Sequence, residues 1–168
     1  MKEIYIDTNL IIARYKPKDP LYSIANRLFK EEKHRFLISP ITLTELHSVL
    51  SRVKHQISLP KDIETIDIPT LVEFIIEDCN LKLLSKTRIV TYQIGKERVR
   101  IPLEYYIALS IADKIKLRTL DLIHIAYAYL IKDQINAFVT GDNEILEKRK
   151  TILHTLGIEV KPPQDIIN

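Results

Sequence analysis

The segment that decides the fold lies near the start of the chain. Its residues are Glu3-Ile4-Tyr5-Ile6-Asp7-Thr8-Asn9-Leu10-Ile11-Ile12. The β-branched and aromatic run at residues 4–6 is typical of a strand buried in a sheet. The run stops at Asp7, and after Thr8 and Asn9 a new apolar segment begins. This order predicts a βα unit with Asp7 at the carboxyl end of its strand, where open parallel sheets bind ligands. A simpler interpretation is that one of the three polar residues only caps the next helix.

The composition predicts one globular domain spanning residues 1–168. Of these residues 46% are hydrophobic and 28% charged, which is ordinary for a domain with a substantial core. The formal net charge of +3 permits nucleic-acid binding without indicating it. The single cysteine, Cys79, excludes an internal disulfide, and no Cys/His spacing indicates zinc. Because no apolar run reaches the ~20 residues of a membrane span and no signal-peptide pattern opens the chain, we expect a cytoplasmic protein without membrane contact.

Strand-like and helix-like segments alternate along the rest of the chain. Further strands of the sheet are predicted at 35–38, 81–84, 137–140 and 157–160, and helices at 10–15, 21–32, 70–79, 103–115 and 119–131. Another helix is expected to begin at Pro40, with Ser39 as its N-cap. Such alternation indicates an α/β fold with a mainly parallel sheet.

Residues 86–102 differ from their surroundings and predict an inserted β-hairpin. Two alternating segments are joined by Gly95-Lys96, which is typical of a type II′ turn. Pairing across this turn gives the hairpin one apolar and one polar face. The pairs are Tyr92 with Val99 and Val90 with Ile101 on the apolar face, and Gln93 with Arg98 and Thr91 with Arg100 on the polar face.

Four acidic residues are expected at one edge of the sheet. Asp7 and Asp142 follow directly on strands. Glu45 lies in the second turn of a helix that follows a strand, and Asp121 opens a helix that is apolar nearly all round. An ionised carboxylate on a buried helix needs a partner, whereas Asp142 could cap the next helix and Glu45 could be solvated. His124, three residues after Asp121 and on the same helix face, is expected to be a core histidine with its hydrogen bonds satisfied.

A cluster of carboxylates has chemical consequences. Gathered carboxylates repel each other unless they are protonated or neutralised by cations. Oxygen ligands without cysteine or dominant histidine indicate Mg²⁺ or Mn²⁺, as one or two ions. Such ions activate water and stabilise the charge of an in-line displacement at phosphorus. The four acids therefore predict metal-assisted phosphoryl chemistry.

Short motifs surround these acids, and together they resemble one family. The motifs are Ile6-Asp7-Thr8-Asn9, Thr44-Glu45-Leu46, Leu120-Asp121-Leu122-Ile123-His124-Ile125-Ala126 and Val139-Thr140-Gly141-Asp142. In this order and in these structural settings they resemble the PIN-domain nucleases, and among them the VapC-type toxin ribonucleases. The resemblance spans roughly the whole chain.

The resemblance implies a three-layer α/β/α fold with a five-stranded parallel sheet of order 3-2-1-4-5. It also implies RNA cleavage with Mg²⁺ or Mn²⁺, a homodimer, and, for a toxin, a small VapB-type antitoxin protein that blocks the site. The catalytic, metal-binding acids would be Asp7, Glu45, Asp121 and Asp142. Thr140 would orient a carboxylate or water, and the supporting residues would be Thr8, Asn9 and Glu144.

The hairpin at 86–102 departs from the compact toxin pattern. The chain could therefore be a PIN-domain nuclease of RNA processing or maturation, or a non-catalytic RNA-binding module, although the presence of all four acids disfavours the module. Arg98 and Arg100 are candidate contacts to an RNA backbone, and a solvated edge that keeps the hairpin soluble explains them equally well.

Two other phosphate-handling classes fit less well. Haloacid-dehalogenase-like phosphatases need a second aspartate two positions after the first, where this chain has Asn9. Receiver-like signalling domains need paired acids near the first strand, and this strand offers only Asp7. A metal-dependent ribonuclease is therefore the preferred hypothesis, with a toxin as its expected setting.

Overall fold

The first strand forms the centre of the sheet in the computed structural model, which describes residues 2–59, 66–84 and 87–167. The strands are β1 (Lys2–Ile6), β2 (His34–Ile38), β3 (Leu81–Leu83), β4 (Ile89–Ile94), β5 (Glu97–Pro102), β6 (Ala137–Val139) and β7 (Val160–Lys161). Five of them pair in parallel in the order β3-β2-β1-β6-β7. This confirms the predicted order 3-2-1-4-5, because β4 and β5 form the separate hairpin.

Helices cover both faces of this sheet. They are α1 (Thr8–Ala13), α2 (Tyr22–Phe29), α3 (Pro40–Val53), α4 (Ile68–Asp78), α5 (Leu103–Ile115), α6 (Thr119–Leu130), α7 (Asn143–Glu147) and α8 (Arg149–Leu156), with 3₁₀ turns at Lys54–Gln56 and Pro163–Asp165. None of the helices in the described ranges is long and apolar enough to cross a membrane.

The alternation of side chains along β1 divides the core in two. Ile4 and Ile6 pack with apolar residues of α1 to α4 on one face of the sheet. Tyr5 points to the other face and packs with residues of α5 to α8. Successive side chains of a strand point to opposite faces, so a three-residue run contributes to both cores. The result is the expected three-layer α/β/α arrangement.

Several element boundaries differ from the sequence-based expectation by a few residues, and local capping explains two of them. Helix α4 begins at Ile68 rather than at residue 70, because the Asp67 side chain accepts a hydrogen bond from the Thr70 backbone N–H at 2.9 Å. The last strand begins at Val160 rather than at residue 157, because Gly157, with φ of 71°, ends α8 in the left-handed conformation. The predicted N-cap at Ser39, with Pro40 opening α3, is confirmed.

The hairpin has the predicted register. Its pairs include Val90 with Ile101, Thr91 with Arg100, Tyr92 with Val99 and Gln93 with Arg98. Gly95 has φ of 58°, as the first central residue of a type II′ turn requires. The Tyr92 ring packs edge-to-face against Tyr106 of α5, with centroids 6.0 Å apart. The apolar face is thus half-buried on α5 and the arginine face is exposed. Residue 86, the first of the expected insertion, lies outside the described residues.

Candidate active site

A cleft of about 310 Å³ lies at the carboxyl ends of β1 and β6. It is lined by Asp7, Thr8, Asn9, Ile12, Asp19, Glu45, Val49, Asp121 and Asp142. The four acids come from four parts of the fold: the ends of β1 and β6, the second turn of α3 and the first turn of α6. The structure therefore brings together the carboxylates that the sequence predicted to meet.

Asp7 is buried and held in place by two side chains. Its Oδ2 accepts hydrogen bonds from Thr140 Oγ1 at 2.5 Å and from Asn9 Nδ2 at 2.9 Å. Asn9 also donates to Thr140 Oγ1 at 3.2 Å, and Asn9 Oδ1 accepts from the Gly141 N–H at 3.3 Å. Burial raises the pKa of Asp7, while the charge of His124 and the Thr140 bond oppose that rise. These bonds fix the turn after β1 against the turn after β6.

Gly141, in the turn after β6, lies close to the side chain of Leu21. A Cβ added to Gly141 would collide with the Leu21 side chain. Glycine therefore lets the β6 turn approach the loop before α2 closely.

Glu45 is held through one oxygen by two partners. Its Oε2 accepts a hydrogen bond from Thr8 Oγ1 and lies 2.7 Å from His124 Nε2. Burial acts to raise the pKa of Glu45, but the His124 bond and charge and the Thr8 bond outweigh it, and the pKa is lowered. The pKa of His124, by contrast, is raised. Its burial acts to lower the pKa, and the Glu45 bond and the charges of Asp7 and Asp121 raise it.

Asp121 is the acid with the least support from its neighbours. It is half-buried in the first turn of α6, and within the described ranges no hydrogen bond reaches its carboxylate. Burial, and then the negative charges of Asp142 and Asp7, raise the pKa of Asp121 to about 6. Among the described residues, none thus compensates the negative charge of Asp121 through a hydrogen bond.

Asp142 caps a helix and also lines the cleft, two placements that the sequence left as alternatives. Its Oδ1 accepts a hydrogen bond from the Glu144 backbone N–H at 2.7 Å, which makes Asp142 the N-cap of α7. It lines the cleft as well. Capping fixes the direction of the carboxylate and does not remove it from the site.

The remaining candidates lie behind or beside the cleft. Thr140 is fully buried and donates a hydrogen bond to Asp7, and its orienting role stays a prediction. The Glu144 side chain is exposed and forms an ion pair with Arg118 at 2.6 Å, so it does not line the cleft. Arg98 and Arg100 are exposed on the hairpin and do not line it either.

The donor chemistry of the cleft fits a hydrated Mg²⁺ or Mn²⁺. Every acidic ligand offers oxygen, which these ions prefer. Among the described residues, however, no group of three His, Cys, Asp or Glu side chains is arranged to hold an ion. Mg²⁺ usually keeps several waters and uses one or two carboxylates. The site therefore fits an ion held by one or two of these acids through an incomplete protein shell.

Sequence reasoning missed a buried network behind the acids. The Tyr5 hydroxyl donates to Ser39 Oγ at 2.7 Å and lies 2.9 Å from His124 Nδ1. The alternation of side chains gave one signal, because Tyr5 precedes Asp7 by two residues and therefore points to the same face of the sheet. The cleft also includes Asp19, in the proline-broken loop before α2, where no periodic pattern exists to place it.

Comparisons with known proteins agree with the fold. The family model of the PIN domain matches residues 4–150. A solved structure described as VapBC2 from Rickettsia felis bound to a DNA fragment from their promoter is similar, with a TM-score of 0.53. It is 14% identical, and the match covers 95% of this chain and 98% of that one; at this identity the likeness shows the fold alone. No similar curated protein sequence was found. Since the family model covers most of the sequence and the acids of the cleft lie within the match, the chain belongs to the PIN domain family.

Proposed function

We propose that this protein is a metal-dependent endoribonuclease that hydrolyses phosphodiester bonds of RNA. The observation that carries the proposal is the convergence of Asp7, Glu45, Asp121 and Asp142 on one cleft. Burial, and then repulsion from Asp142 and Asp7, raise the pKa of Asp121 to about 6. A divalent cation relieves such repulsion, and PIN domains are in general metal-dependent nucleases.

The four acids have different parts in this proposal. One or two Mg²⁺ or Mn²⁺ ions, when bound, supply an activated water and stabilise charge on the phosphate. Asp7 and Glu45 are preoriented by Thr140, Asn9 and Thr8. Asp121 carries the charge most in need of a cation.

We propose the toxin of a type II VapBC system as the biological setting. The support is the fold similarity to VapBC2 of Rickettsia felis, whose structure is a complex with DNA from the promoter. The partners would then be RNA, a VapB-type antitoxin and a second copy of this chain, in the cytoplasm. Tyr105, Tyr106 and Leu109 expose large apolar surfaces on α5, 45%, 42% and 55% respectively, and such neighbouring surfaces favour a protein contact.

Purified protein should cut single-stranded RNA when Mg²⁺ or Mn²⁺ is present, and stop when EDTA removes the ion. The physical reason is that uncompensated carboxylates repel a polyanion until cations bind. The measurement is gel analysis of end-labelled RNA, with DNA of the same sequence as the control for substrate class. Cutting that continues in EDTA would exclude metal dependence, and cutting of DNA alone would exclude a ribonuclease.

The exposed face of the hairpin suits a contact with the RNA backbone. Arg98 Nε lies 3.4 Å from Gln93 Oε1, and within the described ranges neither Arg98 nor Arg100 forms an ion pair. A nuclease with an acidic centre needs positive charge nearby to hold a polyanion. Phosphate contacts of this kind add affinity without reading sequence.

Replacing both Arg98 and Arg100 by alanine should weaken binding of uncleavable RNA similarly across sequences. The slope of log K against log salt should decrease by about 0.7 for each lost phosphate contact. Fluorescence anisotropy in EDTA measures both quantities. The matched control replaces the exposed Lys132 and Lys150 by alanine, which removes the same charge elsewhere. If the two double variants behave alike, the hairpin is a solvated edge or a contact for a protein partner.

A further inference from the structure

We propose that His124 is a positioning residue that holds Glu45 in place for metal binding, and that Tyr5 holds His124. The inference rests on the proposed function, because it assigns Glu45 to the metal site. In this proposal β1, with Asp7 at its end, and α6 each contribute two residues. One of them is a carboxylate of the cleft, and the other is a buried residue that helps to fix Glu45 of α3.

The contact between His124 and Glu45 defines which atom donates. His124 Nε2 lies 2.7 Å from Glu45 Oε2, and an ionised carboxylate only accepts hydrogen bonds. Nε2 therefore carries a proton that points at Glu45. With the Thr8 bond, Oε2 has two donors, while Oε1 receives no hydrogen bond within the described part of the chain. The double contact fixes Glu45 through one oxygen and leaves the other available to an ion.

The far side of the imidazole ring is fixed as well. Its Nδ1 lies 2.9 Å from the Tyr5 hydroxyl, which donates to Ser39 Oγ at 2.7 Å. His124 is 2% exposed, and Tyr5 and Ser39 are fully buried. The Tyr5 ring packs edge-to-face against His124 and Phe138, with centroids 5.9 and 5.3 Å apart. Contacts at both ring nitrogens and the edge-to-face contact with the Tyr5 ring prevent the imidazole from turning away from Glu45.

The spacing of residues explains how two elements can do this. Asp121 and His124 are three residues apart on α6 and share one helix face. Tyr5 lies on β1 and Asp7 directly follows that strand, and at a spacing of two residues their side chains point to the same face of the sheet. One face of α6 thus supplies both Asp121 and His124, and the same face of the sheet receives both Tyr5 and Asp7. Partners that orient a metal-binding side chain typically change metal affinity 10- to 100-fold when they are removed.

Two substitutions of His124 separate this role from simple filling of the core. The amide nitrogen of glutamine can take the place of Nε2, so His124→Gln keeps a donor for Glu45. The amide nitrogen of asparagine lies nearer the position of Nδ1, so His124→Asn keeps a partner for Tyr5 and loses the donor to Glu45. Both are neutral polar amides. They differ chiefly in which contact of the ring they preserve.

The measurement is Mn²⁺ binding to each variant, followed by the electron paramagnetic resonance of free Mn²⁺ and needing no RNA. We expect the Kd of His124→Asn to exceed that of His124→Gln by at least ~10-fold, and His124→Gln to stay closer to the wild-type protein. Equal Kd values in the two variants would overturn the proposal, because a residue that only fills the core does not distinguish them.

A second measurement keeps the proposal testable if either variant fails to fold. In metal-free wild-type protein labelled with ¹⁵N-histidine, the Nε2 proton of His124 should give a resonance protected from exchange. Glu45→Ala should shift or remove that resonance, and an unchanged signal would overturn the proposal. The outcomes also separate this inference from the proposed function. A wild-type protein that binds no Mn²⁺ contradicts the proposed function, whereas the metal-free signal still decides whether His124 holds Glu45.

Discussion

Asp7→Asn and Asp121→Asn should each reduce RNA cleavage by at least ~1000-fold, equivalent to ~4 kcal/mol in the activation barrier. Each substitution removes a negative charge that the proposed ions need, in a cleft whose charged lining residues, among those that the structure describes, are all carboxylates. Asparagine is close to aspartate in shape, and its carbonyl oxygen can still accept the bonds that Thr140 and Asn9 donate at position 7. Single-turnover cleavage of RNA with saturating Mn²⁺ measures the loss.

The matched control is Asp133→Asn, which makes the same chemical change at an exposed position beyond the other end of α6. We expect it to cleave RNA at the wild-type rate. Circular dichroism spectra and melting temperatures of all three variants check that they fold. Undiminished cleavage by folded Asp7→Asn or Asp121→Asn protein would contradict the assignment of that acid to the site.

Divalent metal should stabilise the wild-type fold by ~2.7 kcal/mol when its free concentration is ~100 times Kd. For a domain of this size that gain corresponds to ~5–11 °C in Tm. The native cleft gathers the acids, whereas the unfolded chain disperses them, so the ion binds the native state in preference. Differential scanning calorimetry with and without Mn²⁺ measures the gain. If Tm does not respond to saturating Mn²⁺, the cleft is not a metal site.

In the absence of metal, Asp121→Asn should stabilise the fold. The folded pKa of Asp121, about 6, lies above its ordinary value of 3.8, so the folded state retains a proton that the unfolded state releases. Asp121 therefore does not change the free energy of unfolding below about pH 4. It lowers that free energy progressively as the pH rises to about 6, and keeps it lowered at higher pH. At pH 7.5 the variant should be more stable than the metal-free wild type by ~1 kcal/mol, allowing for solvent screening at this half-buried group.

The same variant should lose most of the stabilisation by Mn²⁺. Asp142→Asn is a useful comparison, since asparagine caps helices as well as aspartate does. It should keep the cap on α7 and lose part of the metal gain. A full Mn²⁺ gain in both variants, or an Asp121→Asn protein that is less stable than wild type at pH 7.5 without metal, would contradict the picture of a repulsive cluster.

Much of the fold follows from sequence patterns that extend over only a few residues. The run at residues 4–6 has the side chains of a strand buried on both faces, and Ile4 and Tyr5 indeed enter opposite cores. The hairpin register followed from Gly95, because one turn geometry determines every pair on both strands. The order of the sheet came from resemblance to a family and was confirmed by the pairing of β1 with β2 and β6. The metal-binding roles of the four acids stay a prediction.

Only the tertiary structure decided how the acids are held. Glu45 and His124 are 79 positions apart, and Asp7 and Thr140 are 133 apart; no local pattern relates residues at such separations. Side-chain hydrogen bonds across elements depend on how the helices pack on the sheet, and that packing buries Tyr5 beneath α6 and excludes Glu144 from the cleft. The sequence determined which residues end each strand and face inward, because periodicity and capping act over a few residues. Which oxygen of Glu45 is bound, and why the Asp121 carboxylate accepts no hydrogen bond from the described residues, depend on distances that exist only after the layers pack.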